Sequence, residues 1–211
     1  MPITYNPKTK HYEQDGEPIE PSRITALISK LVARAKIEAK RITKRYADGA
    51  ITYEKWYEAM VSLIESAQIV AASVGRGGRE LVENWGKVSD RVEWQSGFLP
   101  RFGRDIASEK LSEAQTANRA GMYADASYVT YQNEAMDAQK DGGKVMARLI
   151  TNAKESCEDC SADEAEGWMP IEEMGEIGSR ICGDFCKCQI EFSDDDDGSS
   201  PDFTEAAVNL V

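Results

Sequence analysis

Apolar residues recur at helical spacing through most of the first 140 positions. Ile24, Leu27, Ile28, Leu31, Val32 and Ala35 form one stripe, which Ile42 and Tyr46 continue loosely. The pattern predicts a helix that starts after Pro21 with Ser22 as N-cap and stops near Asp48-Gly49, where glycine suits a left-handed C-cap. A second helix, after Thr52, has the best-defined stripe: Tyr53, Trp56, Met60, Leu63, Ile64, Ala67, Val70 and Val74. The turn between these helices is short, so they are expected to form an antiparallel hairpin. Gly75-Arg76-Gly77-Gly78 ends the second. A third helix is expected from Glu80 to about Gln95, with Leu81, Val82, Trp85, Val88 and Val92 mostly inward and Gly86 as a weak point. Gly97-Phe98-Leu99-Pro100 breaks the pattern, and a short helix is expected from Phe102 to Glu109. Ser112-Glu113-Ala114-Gln115 has the form of a capping box. It opens a long helix towards Gln139, rich in Ala and Tyr (Tyr123, Tyr128, Tyr131) and closed by Asp141-Gly142-Gly143.

The ends of the chain read differently. Residues 2–19 suggest a hairpin or paired extended segment, with turn signals at Asn6-Pro7 and Asp15-Gly16 and strand-compatible Tyr5, His11 and Tyr12. Lys144–Thr151 is read as a strand or a helical turn, and the alternating Cys188–Phe192 as a strand. Between them lies a stretch rich in Gly, Glu and Cys that buries little apolar surface and needs a cross-link to hold one shape. SDDDDGSSPD and FTEAAVNLV follow. The first is expected to be disordered alone. In the second, Phe203, Val208, Leu210 and Val211 are expected to dock while the aspartates stay near solvent or basic side chains. The fold class is therefore mainly α. An N-terminal β-hairpin (1–20) precedes a helical body of an antiparallel helix hairpin plus long helices (21–143). A small Cys-rich, zinc-knuckle-like α+β module (144–192) and an acidic tail with an apolar terminal peptide (193–211) complete it.

Composition narrows the class. Of 211 residues, 41% are hydrophobic and 29% charged, enough apolar material for a core and too polar for a membrane protein. No apolar run approaches the roughly 20 residues needed to span a bilayer, and the first 20 residues contain no stretch of signal-peptide length. Folding in a cytoplasm is the expectation. The net charge of −12 is unevenly placed: residues 134–211 carry 20 acidic and 6 basic side chains, and residues 1–133 carry 17 and 19. Eight bases (Arg23, Lys30, Arg34, Lys36, Lys40, Arg41, Lys44 and Arg45) and one acid, Glu38, fall between Ser22 and Tyr46. That basic helix is either a solvated face or a contact surface. Overall acidity argues against free duplex DNA as the main partner. The GRGG stretch lacks the GK[ST] ending of a phosphate-binding loop and follows a helix, so it reads as a helix-to-helix turn.

All five cysteines fall within 32 residues: Cys157-x-x-Cys160, then 21 residues, then Cys182-x-x-x-Cys186-x-Cys188. Two thiol knuckles separated by a loop suit a four-coordinate structural Zn2+, with one thiol spare. If the strand already starts at Cys186, then Cys186 and Cys188 share a face and Cys182 is spare; if the chain turns there, Cys182 replaces one of them. A disulfide framework fits an odd count and a reducing cytosol poorly, and a redox CxxC lacks its βαβ context. A catalytic zinc, or a Cys-His nucleophile pair, would draw on the only histidine, His11, in the distant N-terminal segment. The carboxylates from Asp159 to Glu176 read as solvated loop charge.

The order of these segments resembles minor head proteins of tailed bacteriophages, the head-morphogenesis family related to the Mu F-type protein. The resemblance covers roughly residues 3–192. It rests on YNPKTKHYEQDGEPIEPSRI, GAITYEKWYEAMVSLIESAQIVAASVGRGG, LSEAQTANRAGMYADASYVTY and SCEDCSADEAEGWMPIEEMGEIGSRICGDFCKCQIEF. Members often carry a CxxC pair, a loop and a His-containing stretch ending in CxC. Cys182 stands near that histidine's place, where a thiol would preserve a metal ligand. The resemblance implies a non-enzymatic virion component near portal and head shell, touching portal, major capsid or neck proteins in a multi-copy assembly made in the bacterial cytoplasm. Two other classes stand beside it. One is a nucleic-acid-contacting adaptor using the basic helix (Arg34, Lys40, Arg41, Lys44 and Arg45) with Arg76, Arg79 and Arg91. The other is a hydrolase or toxin with a cysteine nucleophile.

Overall fold

The computed structural model describes residues 3–6, 8–9, 11–78, 85–151 and 156–194. It is mainly helical, with one small antiparallel sheet near each end. The first sheet has order β1-β2-β3: β1 (Ile3–Asn6), β2 (His11–Gln14) and β3 (Glu17–Pro18). Five helices follow: α1 (Pro21–Ala47), α2 (Tyr53–Gly75), α3 (Trp85–Ser96), α4 (Leu99–Ala107) and α5 (Glu113–Asp141). The C-terminal module holds β4 (Met146–Ile150), α6 (Glu158–Glu166), β5 (Met169–Pro170) and β6 (Gln189–Ser193) in a sheet of order β5-β4-β6.

The expected hairpin of long helices is present. Tyr46 meets Tyr53 and Trp56, and Thr43 takes the Trp56 indole N–H at 3.2 Å. Ile24 and Ile28 pack with Ala71 at the other end, so α1 and α2 run antiparallel. α5 closes the third side. Lys36 pairs with Asp125 at 2.9 Å, which sets α5 antiparallel to α1. Thr130 donates to Gln68, and Gly75 lies against Tyr131 and Glu134. α5 contributes to all three hydrophobic clusters: Ala120 and Tyr123 with Trp56, Met60 and Phe102; Tyr128 and Tyr131 with Tyr5, Ile24 and Ile28; Val129 and Met136 with the C-terminal module.

Several boundaries differ from the sequence reading. The N-cap of α1 is Glu20, not Ser22, because Pro21 takes the first helical position, where its fixed φ fits and its missing N–H costs nothing. Pro100 likewise sits in the first turn of α4, at its second residue, so that helix spans Leu99–Ala107 and not 102–109. The described part of α3 is Trp85–Ser96; Leu81 and Val82 lie outside the described residues, as do the four tail residues expected to dock. Of the expected α3 stripe, Val88 is fully buried and Trp85 is 47% exposed. Thr52 caps α2, and the capping box of Ser112 and Gln115 opens α5. Within Lys144–Thr151, read as a strand or a helical turn, Met146–Ile150 is a strand.

GRGG is a turn whose amides face inward: Arg76, Gly77 and Gly78 donate backbone N–H groups to Ala72, Val74 and Ser73. The Arg76 guanidinium is buried, donating to Glu134 at 2.5 Å, with Asp137 and Asp141 at 3.4 and 3.9 Å. Just before this turn, a Cβ on Gly75 would stand 2.5 Å from the Tyr131 carbonyl oxygen, so α2 and α5 touch backbone to backbone there. Ala favours a helix over Gly by about 0.5–1 kcal/mol. Overpacking here is nevertheless expected to win, with Gly75→Ala destabilising by about 1–3 kcal/mol. Gly86→Ala, which meets open space, is expected to stabilise by about 0.5 kcal/mol. Urea unfolding of the two variants checks the opposite signs.

Candidate metal centre

β4 forms the floor of the module. It pairs antiparallel with β6 from Met146↔Ser193 to Ile150↔Gln189, and with β5 through Met146 and Ala147. Cys157 is the N-cap of α6, and its Sγ accepts the Cys160 N–H at 3.5 Å. Cys160 lies one turn in, buried. Cys182 and Cys186 flank a 3-10 turn over Gly183–Phe185. Cys186, Cys188 and Ile190 are buried while Lys187 is exposed, so the extended alternation begins before β6 itself. This local geometry brings all five thiols together.

The Cys160 Sγ lies 3.6 Å from that of Cys182 and 3.9 Å from that of Cys186. Cys157, Cys160 and Cys182 lie within 4.8 Å of one another, as do Cys160, Cys186 and Cys188. All five are free thiols. A Zn–S bond of about 2.3 Å in a tetrahedron places ligand sulfurs about 3.8 Å apart, so the two shortest spacings suit four-thiolate coordination. Among the described residues, the side chains close enough to share an ion in this way are cysteines only; His11 sits exposed in β2.

Proton affinities alternate across the cluster. A hydrogen bond from the Cys188 thiol brings Cys186 down to about 5, and the same bond raises Cys188. The Cys160 backbone N–H lowers Cys157. Burial pushes Cys160 up to about 11 and also raises Cys182. Cys186 is thus the thiol most inclined to ionise, with Cys188 as its hydrogen-bond donor. A soft cation bound there would replace the thiol protons, and its binding would release them.

The sequence did not reveal how the module is seated. Asn133 of α5 donates to the Ile177 carbonyl at 3.0 Å and accepts the Ile177 N–H at 2.7 Å. Asp184, in the turn between Cys182 and Cys186, pairs with Arg91 of α3 at 3.4 Å. Asp125 accepts from Lys36 and lies 3.1 Å from Lys187, joining α1, α5 and the cysteine segment. The loop carboxylates are not simply solvated: Asp159 accepts the Ile181 N–H at 3.0 Å, Asp163 pairs with Arg180, and Glu164 takes the Thr151 N–H and hydroxyl at 2.9 and 2.7 Å. Arg76 and Arg91, named with the basic helix, are thus committed to Glu134 and Asp184; Arg79 lies outside the described residues. On α1, Arg34, Arg41, Lys44 and Arg45 are exposed and Lys40 is half-buried. Arg41 pairs with Glu38, and Lys44 with Asp48 and Glu113.

No protein-family model, no curated protein and no solved structure matches this chain. Asn133→Ala strips both hydrogen bonds from Ile177 and is expected to cost about 1–3 kcal/mol. Amide exchange is expected to speed up around residues 176–186 while α1 and α2 stay protected, which hydrogen-exchange mass spectrometry resolves.

Proposed function

We propose that this chain is a structural protein whose C-terminal module is clasped by one Zn2+, and that it serves as a minor head or connector-region protein of a tailed phage. In that role it bridges portal, major capsid or neck proteins during head assembly in the bacterial cytoplasm. The carrying observation is the convergence of five thiols from separate segments into one largely buried cluster seated on the long helices. The donor set fits the ion: it is all sulfur, its shortest spacings match a tetrahedral site, and one member, Cys186, is held well below the usual thiol range. Zinc supplies a cross-link here and no reaction chemistry. Four of Cys157, Cys160, Cys182, Cys186 and Cys188 would hold it. The order of terminal hairpin, paired helices, long Ala/Tyr-rich helix and cysteine module supports the phage reading. Among the described residues, no helix is long and apolar enough to cross a membrane.

A second reading has its own observation. Lys30, Arg34, Arg41 and Arg45 fall on one exposed face of α1, around an Ile37 that is 68% exposed. A weak nucleic-acid contact there would show a steep salt dependence, with log affinity falling linearly against log salt; no binding at low salt would remove it.

Freshly reduced protein is expected to carry one zinc per chain by native mass spectrometry. Cys160→Ser is expected to lose the ion and loosen residues 146–194 while the long helices persist. Metal-free wild-type protein would contradict the clasp. For the assembly role, the chain is expected in purified particles at low copy number; particles that lack it would contradict that role.

A further inference from the structure

The two thiol triads differ in access. Cys157, Cys160 and Cys182 form one with two half-buried members, whereas Cys160, Cys186 and Cys188 are all buried. Cys160 belongs to both. Neither triad supplies four sulfurs. Cys182 lies closest to the shared thiol, at 3.6 Å, and only the 3-10 turn Gly183–Phe185 separates it from Cys186, so it is the thiol placed to complete the buried triad to four. Cys157 is left over. It stands at the start of α6, half-buried.

We propose that the cluster is a two-stage site for a soft divalent cation, resting on the metal reading above. The half-exposed triad Cys157, Cys160 and Cys182 captures the ion. The ion then moves inward, keeping Cys160 and Cys182 as ligands and exchanging Cys157 for Cys186 and Cys188. The step is a ligand exchange without oxidation: one metal–sulfur bond breaks and two form. Cys186 binds as the thiolate, Cys188 gives up its thiol proton, and the released Cys157 thiolate takes a proton back. Cys157 is thus a capture thiol and not a resident ligand. The fifth cysteine has a purpose that a static four-coordinate site does not give it.

Cobalt(II), added to the reduced full-length protein, is the probe. Its charge-transfer and d–d bands count thiolate ligands, and stopped-flow absorbance follows loading. Serine is itself a good N-cap, so Cys157→Ser keeps α6 intact. That variant is expected to reach the wild-type four-sulfur spectrum, but about tenfold more slowly, the scale on which groups just outside a ligand set act. Cys188→Ser is expected to load at the wild-type rate, finish with one sulfur fewer and lose cobalt to EDTA about tenfold faster. A Cys157→Ser spectrum missing a sulfur, or loading at the wild-type rate, overturns the two-stage site while leaving a metal clasp standing. Wild-type protein that takes up no cobalt overturns the metal reading itself.

Discussion

α5 is buried along so much of its length that its polar side chains must find partners inside the protein. Seventeen of its 29 residues are buried, including the unbroken run 126–132. An unpaired polar group in such a place costs about 1–3 kcal/mol. Each surrounding element therefore presents a specific partner: Gln68 for Thr130, Arg76 for Glu134, and the Tyr5 hydroxyl for Gln139 at 3.2 Å. Gln68 passes the chain on to Gln95 of α3 at 2.8 Å. These bonds do more than offset burial. They fix the height at which α2, α3 and the N-terminal sheet meet α5, which apolar packing alone would leave free to slide.

The same constraint explains the module. The face of α5 that carries Val129 and Met136 is covered by a segment with few large apolar residues and two short strands against β4. Such a cover needs an internal cross-link, and the thiols lie in the same cluster as Val129, Met136 and Ile177. Asn133 and Asp125 then lock the cysteine segment to the helix from which it gains its burial. Stabilising the module and covering α5 are one event.

Much of this was legible in the sequence where a single signal decides. The α1 and α2 stripes and the capping box at Ser112 each have one physical meaning, and the spacing of the cysteines marks them as one cluster. The boundaries at Pro21 and Pro100 were misplaced because proline both stops a helix and starts one, and only the surrounding backbone decides which. The all-round burial of α5 was hidden because Ala, Tyr, Thr and Gln make no one-sided stripe. The seating residues Asn133, Arg91 and Asp184 were invisible for another reason: an Asn or an Asp in a polar stretch carries no mark of a partner 44 or 93 positions away. The relation of Cys182 to the other thiols was likewise settled by tertiary geometry, with the 3-10 turn placing it in the cluster and not outside it.

What the fold positions is therefore a thiol cluster that holds a small cover onto a polar-cored helix. The most direct check is X-ray absorption at the zinc edge on protein purified under reducing conditions. The expected result is a shell of four sulfur atoms at about 2.3 Å. A shell containing nitrogen or oxygen, or sulfur–sulfur bonds in place of the metal, would contradict it.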